Sequence, residues 1–98
     1  MEEKPGRIVS PETVHRARMR DGICLAGLVE KDGCSWGVDV HHIASRGSGG
    51  DDTLENLICL CRRHHNKAHA GELSRGRLRA ILHLYWQYIY SIEELQED

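Results

Sequence analysis

Residues 37–71 read GVDVHHIASRGSGGDDTLENLICLCRRHHNKAHAG. From Gly37 to Ile43 the chain alternates, with Val38, Val40 and His42 on one side and Asp39 and His41 on the other. That period of two predicts a strand. Ala44 to Glu55 is a loop rich in Gly, Ser and Asp, and Asn56 to Cys61 is a short apolar strand. Arg62 to Ala70 reads as a helix that stops at Gly71, a residue type that ends helices readily. Strand, long loop, strand and helix form the central unit.

Upstream, Ser10-Pro11-Glu12 combines a capping hydroxyl, a proline at the first helical position and an early acid. It predicts a helix over about 11–20, ended by Asp21-Gly22. Residues 23–36 read as irregular, with Gly27, Gly33, Cys24 and Cys34, and Trp36 is expected to pack beside the first strand. Downstream, a helix is expected over about 74–95, with apolar residues at 78, 81, 82, 85, 89 and 92. Tyr85, Trp86, Tyr88 and Tyr90 are too broad for one helix face. Most of them should cover the core, and the excess suits a homodimer contact or stacking on bases. No repeat or low-complexity tract occurs.

The chain has 98 residues, enough for one small domain spanning 1–98. Such a domain buries only about 60–65% of the surface its unfolded chain exposes. With 40% hydrophobic residues and no Phe the core is thin, and small domains of this kind often need a staple. Seven His and four Cys are the candidate ligands for one. No apolar run approaches the roughly 18–20 residues of a membrane span. The start, MEEKPGRIVS, is polar and does not read as a secretory signal. Four Cys without such a signal read as thiols or metal ligands in a reducing, cytoplasmic setting.

A net charge of −2 excludes a generally basic nucleic-acid binder, but the charge is segregated. Arg62, Arg63, Lys67, Arg75, Arg77 and Arg79 are accompanied between 62 and 79 by one acid, Glu72. Such a cluster is either a solvated helix face or a phosphate-binding patch.

His41 and His42 are adjacent on the first strand, so their side chains leave on opposite faces. His65 and His69 are four apart on a helix and share a face. Two imidazoles at that spacing can reach one divalent ion. A third ligand from a facing strand would leave positions open for water and substrate.

Asp39-Val40-His41-His42-Ile43, Arg46 to Gly50, Glu55-Asn56-Leu57 and Leu60 to Gly71 resemble the HNH nucleases. The resemblance covers about residues 20–71 and implies an α+β fold. Its core would be a ββα-metal unit: a two-stranded antiparallel hairpin and a short metal-binding helix, flanked here by N- and C-terminal helices. The HH pair with HxxxH is similar to the all-histidine sites of colicin-type DNases. The Cys pattern looks more like phage and restriction-associated relatives, which implies the cytoplasm of a bacterial or phage-infected cell.

By position, the resemblance implies that His42 is the general base and that His41, His65 and His69 hold one divalent ion, Mg²⁺, Mn²⁺, Ni²⁺ or Zn²⁺. It implies that Asn56 pins the loop around His42. The chemistry suits these residue types, because a neutral imidazole is an effective base near pH 7 and a metal ion compensates charge on a phosphate. The expected products are a 5′-phosphate and a 3′-hydroxyl. Asp39 is open to three readings: a partner of the His42 ring, a partner of a metal ligand on the His41 side, or a solvated carboxylate. Arg46, Arg62, Arg63, Lys67, Arg75 and Arg77 are the candidate DNA contacts.

Cys61-x2-His64 has zinc-knuckle spacing. Relatives with a structural zinc usually carry a Cys where His64 stands and a CxxC upstream. Here the upstream pair is Cys24 and Cys34. A Cys24, Cys34, Cys61, His64 zinc site is chemically acceptable, and the alternative is that these Cys are small buried hydrophobes. Cys59 is expected to pack, and His15 and His83 are expected to be incidental. The function expected is therefore a metal-dependent DNA endonuclease, nicking or cutting duplex DNA with little sequence specificity; reading a sequence would need a homodimer or a targeting partner protein. The alternative is a zinc-stabilised DNA-binding module without catalysis.

Overall fold

The computed structural model describes residues 7–96, with side chains through residue 88. Helix α1 (Pro11–Asp21) is followed by α2 (Leu25–Glu30), strand β1 (Val38–His42), strand β2 (Leu57–Cys61), α3 (Arg62–His69) and α4 (Arg75–Gln96). Two single 3-10 turns, Arg46–Ser48 and Leu54–Asn56, shape the loop between the strands. The fold is a small α+β unit with an antiparallel hairpin, in register from Val38 opposite Cys61 to His42 opposite Leu57. It agrees with an HNH-type ββα core.

Strand β2 is buried along its whole length, which explains why it reads as an apolar run rather than an alternation. Ile58 and Leu60 join Leu25, Ala26, Ile43, Leu73, Leu78, Ile81 and Leu82 in the main core. Cys59 lies against α1, its sulfur 3.7 Å from the Ala17 carbonyl. A two-stranded sheet leaves backbone groups unpaired along its free edge. Side chains from the end of α1 bond two of those groups. Asp21 accepts the Cys59 N–H at 3.0 Å, and Arg20 donates to the Leu57 carbonyl at 2.7 Å.

Helix α1 starts as expected from its residues, with Pro11 in the first turn and Ser10 Oγ accepting the Thr13 N–H at 3.2 Å. The irregular reading of residues 23–36 needs correction, because α2 occupies their middle. Six residues are too few to show a period, and Gly27 in their centre hides the helix. Trp36 also departs from expectation, being 93% exposed. Gly37 takes a left-handed backbone (φ 87°) between Trp36 and the strand, so the chain turns before the pleat begins. On α4, Tyr85 and Trp86 pack against the core, while Tyr88 is exposed. The side chains of residues 89, 90 and 92 and the first six residues lie outside the described part.

Candidate functional site

His41 comes from β1, and His65 and His69 come from one face of α3. The three rings converge, with centroids 4.7–5.3 Å apart. One ligand nitrogen from each lies within 4.8 Å of the others. Asp39 Oδ2 lies 3.1 Å from His65 Nδ1 and accepts from Arg62 Nε at 3.0 Å. An ionised carboxylate only accepts, so His65 carries its proton on Nδ1 and keeps Nε2 as a lone pair. That Nε2 faces His69 Nε2 at 3.1 Å. Burial, and then His65 and His69 beside it, hold His41 down to about 4, so it is neutral at physiological pH. The hydrogen bond from His65, with that from Arg62, lowers Asp39. Three imidazoles from a strand and a facing helix, with a ligand nitrogen of each within reach of one point, fit a divalent ion of the open, three-histidine kind.

Of the readings open to Asp39, the contact found is with His65. The carboxylate at His42 is instead Asp52, with Oδ1 2.7 Å from His42 Nε2. Asp52 was not singled out from sequence. It is one of two adjacent aspartates in a polar loop, ten residues from its partner, and only loop closure joins them. Burial raises Asp52, but the His42 bond and the Ser10 N–H outweigh it and the net shift is downward. Asn56 bridges the same loop. Its Oδ1 accepts the Ala44 N–H at 2.8 Å, and its Nδ2 donates to the carbonyls of Ala44 (3.0 Å) and Asp51 (2.9 Å). Gly50 allows the closure, since a Cβ there would lie 1.7 Å from the Ala44 oxygen.

His41, His42, His65 and His69 border a cleft of about 530 Å³ that the exposed Arg46 and Arg75 also line. Arg75 donates to Ser48 Oγ at 3.1 Å. The other basic candidates have acidic partners: Arg62 with Asp39, Arg63 and Lys67 with Asp32, and Arg77 with Glu30. The geometry thus divides the basic run, with Arg46 and Arg75 beside the histidines.

A second cluster joins Cys24 at the start of α2, Cys34 in the following loop, Cys61 at the end of β2 and His64 in the first turn of α3. Their ligand atoms all lie within 4.8 Å of one another. His64 Nδ1 is 3.4, 3.7 and 3.1 Å from the sulfurs of Cys24, Cys34 and Cys61. His64 Nε2 lies 2.7 Å from Asp32 Oδ1. Lys67, then His64, hold Asp32 well below the usual carboxylate range. The ionised Asp32 therefore accepts a hydrogen bond from His64 Nε2–H and leaves Nδ1 as the ligand atom, the usual arrangement behind a metal-bound histidine. Burial pushes the Cys61 thiol up, but the His64 N–H and ring bring it down to about 6, toward the thiolate a metal needs. All four Cys are free thiols, and Cys59 stands apart from the cluster. Asp32 too was absent from the sequence reading. The donor set fits a closed Cys3His zinc site and suggests a structural zinc.

Residues 31–71 match the HNH endonuclease family. The matched stretch begins just after α2, ends just after α3, and contains His41, His42, Asn56, His65 and His69. The likeness, over less than half of the chain, is to a nuclease family. Comparison with curated proteins and with solved structures gives no significant match. No helix among the described residues is long and apolar enough to cross a membrane.

Proposed function

We propose that this chain is a metal-dependent DNA endonuclease that hydrolyses phosphodiester bonds, leaving a 5′-phosphate and a 3′-hydroxyl. The observation that carries the reading is the convergence of His41, His65 and His69 in the cleft that His42 also lines. In this account residues 20–71 are the catalytic core of a single domain over 1–98.

A divalent ion held by His41, His65 and His69 would stabilise charge on the phosphate and the departing oxygen. His42 removes the proton from the attacking water and is the general base. Arg46 and Arg75 bind the phosphate backbone along the cleft. Asp39 orients His65, and the hydrogen bonds from His65 and then from Arg62 favour its ionised form. Asn56 ties Ala44, at the start of the loop, to Asp51, the neighbour of Asp52. The Cys24, Cys34, Cys61, His64 cluster binds zinc and ties α2, the following loop, β2 and α3 together, adding a staple to a thin core.

Nicking of supercoiled plasmid by purified protein, with Mg²⁺, Mn²⁺, Ni²⁺ or Zn²⁺ supplied in turn, tests the reading. Relaxed or linear product that disappears in EDTA and returns with added ion is expected. Cleavage that persists in excess EDTA would contradict it.

A further inference from the structure

Asp52 is 2% exposed, and its two oxygens have different partners. Oδ1 lies 2.7 Å from His42 Nε2, and Oδ2 accepts the backbone N–H of Ser10 at 2.8 Å. The backbone is fixed as well. The Asp52 N–H donates to the Ile8 carbonyl at 2.9 Å, and the Ile8 N–H donates to Asp51 Oδ1 at 2.7 Å. The segment entering α1 therefore runs alongside the end of the loop and clamps the aspartate pair.

We propose that Asp52 is a positioning residue for His42, holding the ring as its Nε2–H tautomer so that Nδ1 keeps the lone pair that accepts a proton from water. This rests on the nuclease reading, in which His42 is the base. An ionised carboxylate has acceptors only, so a neutral imidazole at 2.7 Å must give it the single N–H. Nδ1 is then the ring nitrogen with no protein hydrogen bond among the described residues. Asp39 does not compete for His42, because it is engaged with His65 and Arg62. The N-terminal segment belongs to the site for the same reason, since the Ser10 N–H dictates which way the Asp52 head can point.

The clamp makes the effect of Asp52→Asn directional. The Ser10 N–H requires an acceptor, so the amide oxygen stays on that side and the NH2 turns to His42. Arg7, at 3.7 Å from Oδ1, is beyond hydrogen-bond reach and does not reverse this. A donor facing Nε2 selects the Nδ1–H tautomer, which has no lone pair left on the nitrogen assigned to the water. An asparagine in place of the orienting aspartate of a serine-protease triad acts in this manner.

The test is long-range ¹⁵N NMR of the His42 ring in the wild type and in Asp52→Asn, at a pH where the ring is neutral, beside plasmid nicking and calorimetric Mg²⁺ or Zn²⁺ binding. The wild type should carry its proton on Nε2. Asp52→Asn should carry it on Nδ1, bind ions with unchanged stoichiometry and nick at least ~10²-fold more slowly. A wild-type ring protonated on Nδ1 overturns the proposal, and that spectrum needs no variant to fold. So does an Asn variant with the wild-type tautomer and rate. A wild type that does not nick removes the nuclease reading, while the pair of spectra still decides whether Asp52 holds the ring.

Discussion

Gly27 leaves the space that the Cys34 sulfur fills: a Cβ at position 27 would lie 2.3 Å from Cys34 Sγ. Helix propensity alone favours Gly27→Ala by roughly 1 kcal/mol. The clash has the opposite sign, and it is severe only while the sulfur is fixed on a metal, because a free Cys34 side chain can turn away. Gly27→Ala is therefore expected to lower bound zinc and to reduce the melting temperature of the zinc-loaded protein by about 5 °C or more, as overpacking costs of ~1–3 kcal/mol imply for a domain of this size. Metal analysis and thermal unfolding check this. A more stable variant with full zinc would contradict it.

His41 gives a pH dependence whose sign is set by its depressed pKa. The unfolded chain takes up this proton near the ordinary imidazole value of 6.5, and the folded, ion-free site only near about 4. The stability due to the neutral ring is fully present above the unfolded value. It is lost as pH falls through the window between the two and is exhausted below the folded value. Urea unfolding with the histidine site stripped and the thiolate cluster still loaded should show this acid loss in wild type and a reduced loss in His41→Gln. An NMR titration placing His41 at or above its ordinary value would contradict it.

Much of the architecture was legible because it depends on local signals. The Ser10-Pro11 start fixes α1, the alternation through His42 fixes β1, and the i, i+4 pair His65/His69 marks one face of α3. What escaped depends on closure. Asp32 and Asp52 are ordinary loop carboxylates until the chain folds back and brings one to His64 and the other to His42. The basic run looked like one patch because its acidic partners, Asp32, Asp39 and Glu30, lie more than twenty residues away in sequence. Trp36 looked like core because composition carries no sign of the turn at Gly37.

Asn56 makes a prediction that separates shape from hydrogen bonding. Removing its three side-chain bonds to Ala44 and Asp51 in Asn56→Ala should cost about 2–3 kcal/mol. Asn56→Asp keeps nearly the same shape but turns a carboxylate oxygen toward two backbone carbonyls. It should be destabilised at least as much at neutral pH, and both variants should lose nicking activity. Urea unfolding orders the pair. An Asp variant clearly more stable than the Ala variant would contradict the assignment of donor and acceptor.

The nuclease reading stands or falls on His42. The decisive measurement is the plasmid-nicking rate of His42→Ala against wild type at saturating ion, with calorimetry on both proteins to confirm that His41, His65 and His69 still bind that ion. A loss of about 10²–10⁴-fold with ion binding intact is expected of a general base. Nicking by His42→Ala at the wild-type rate would contradict the account.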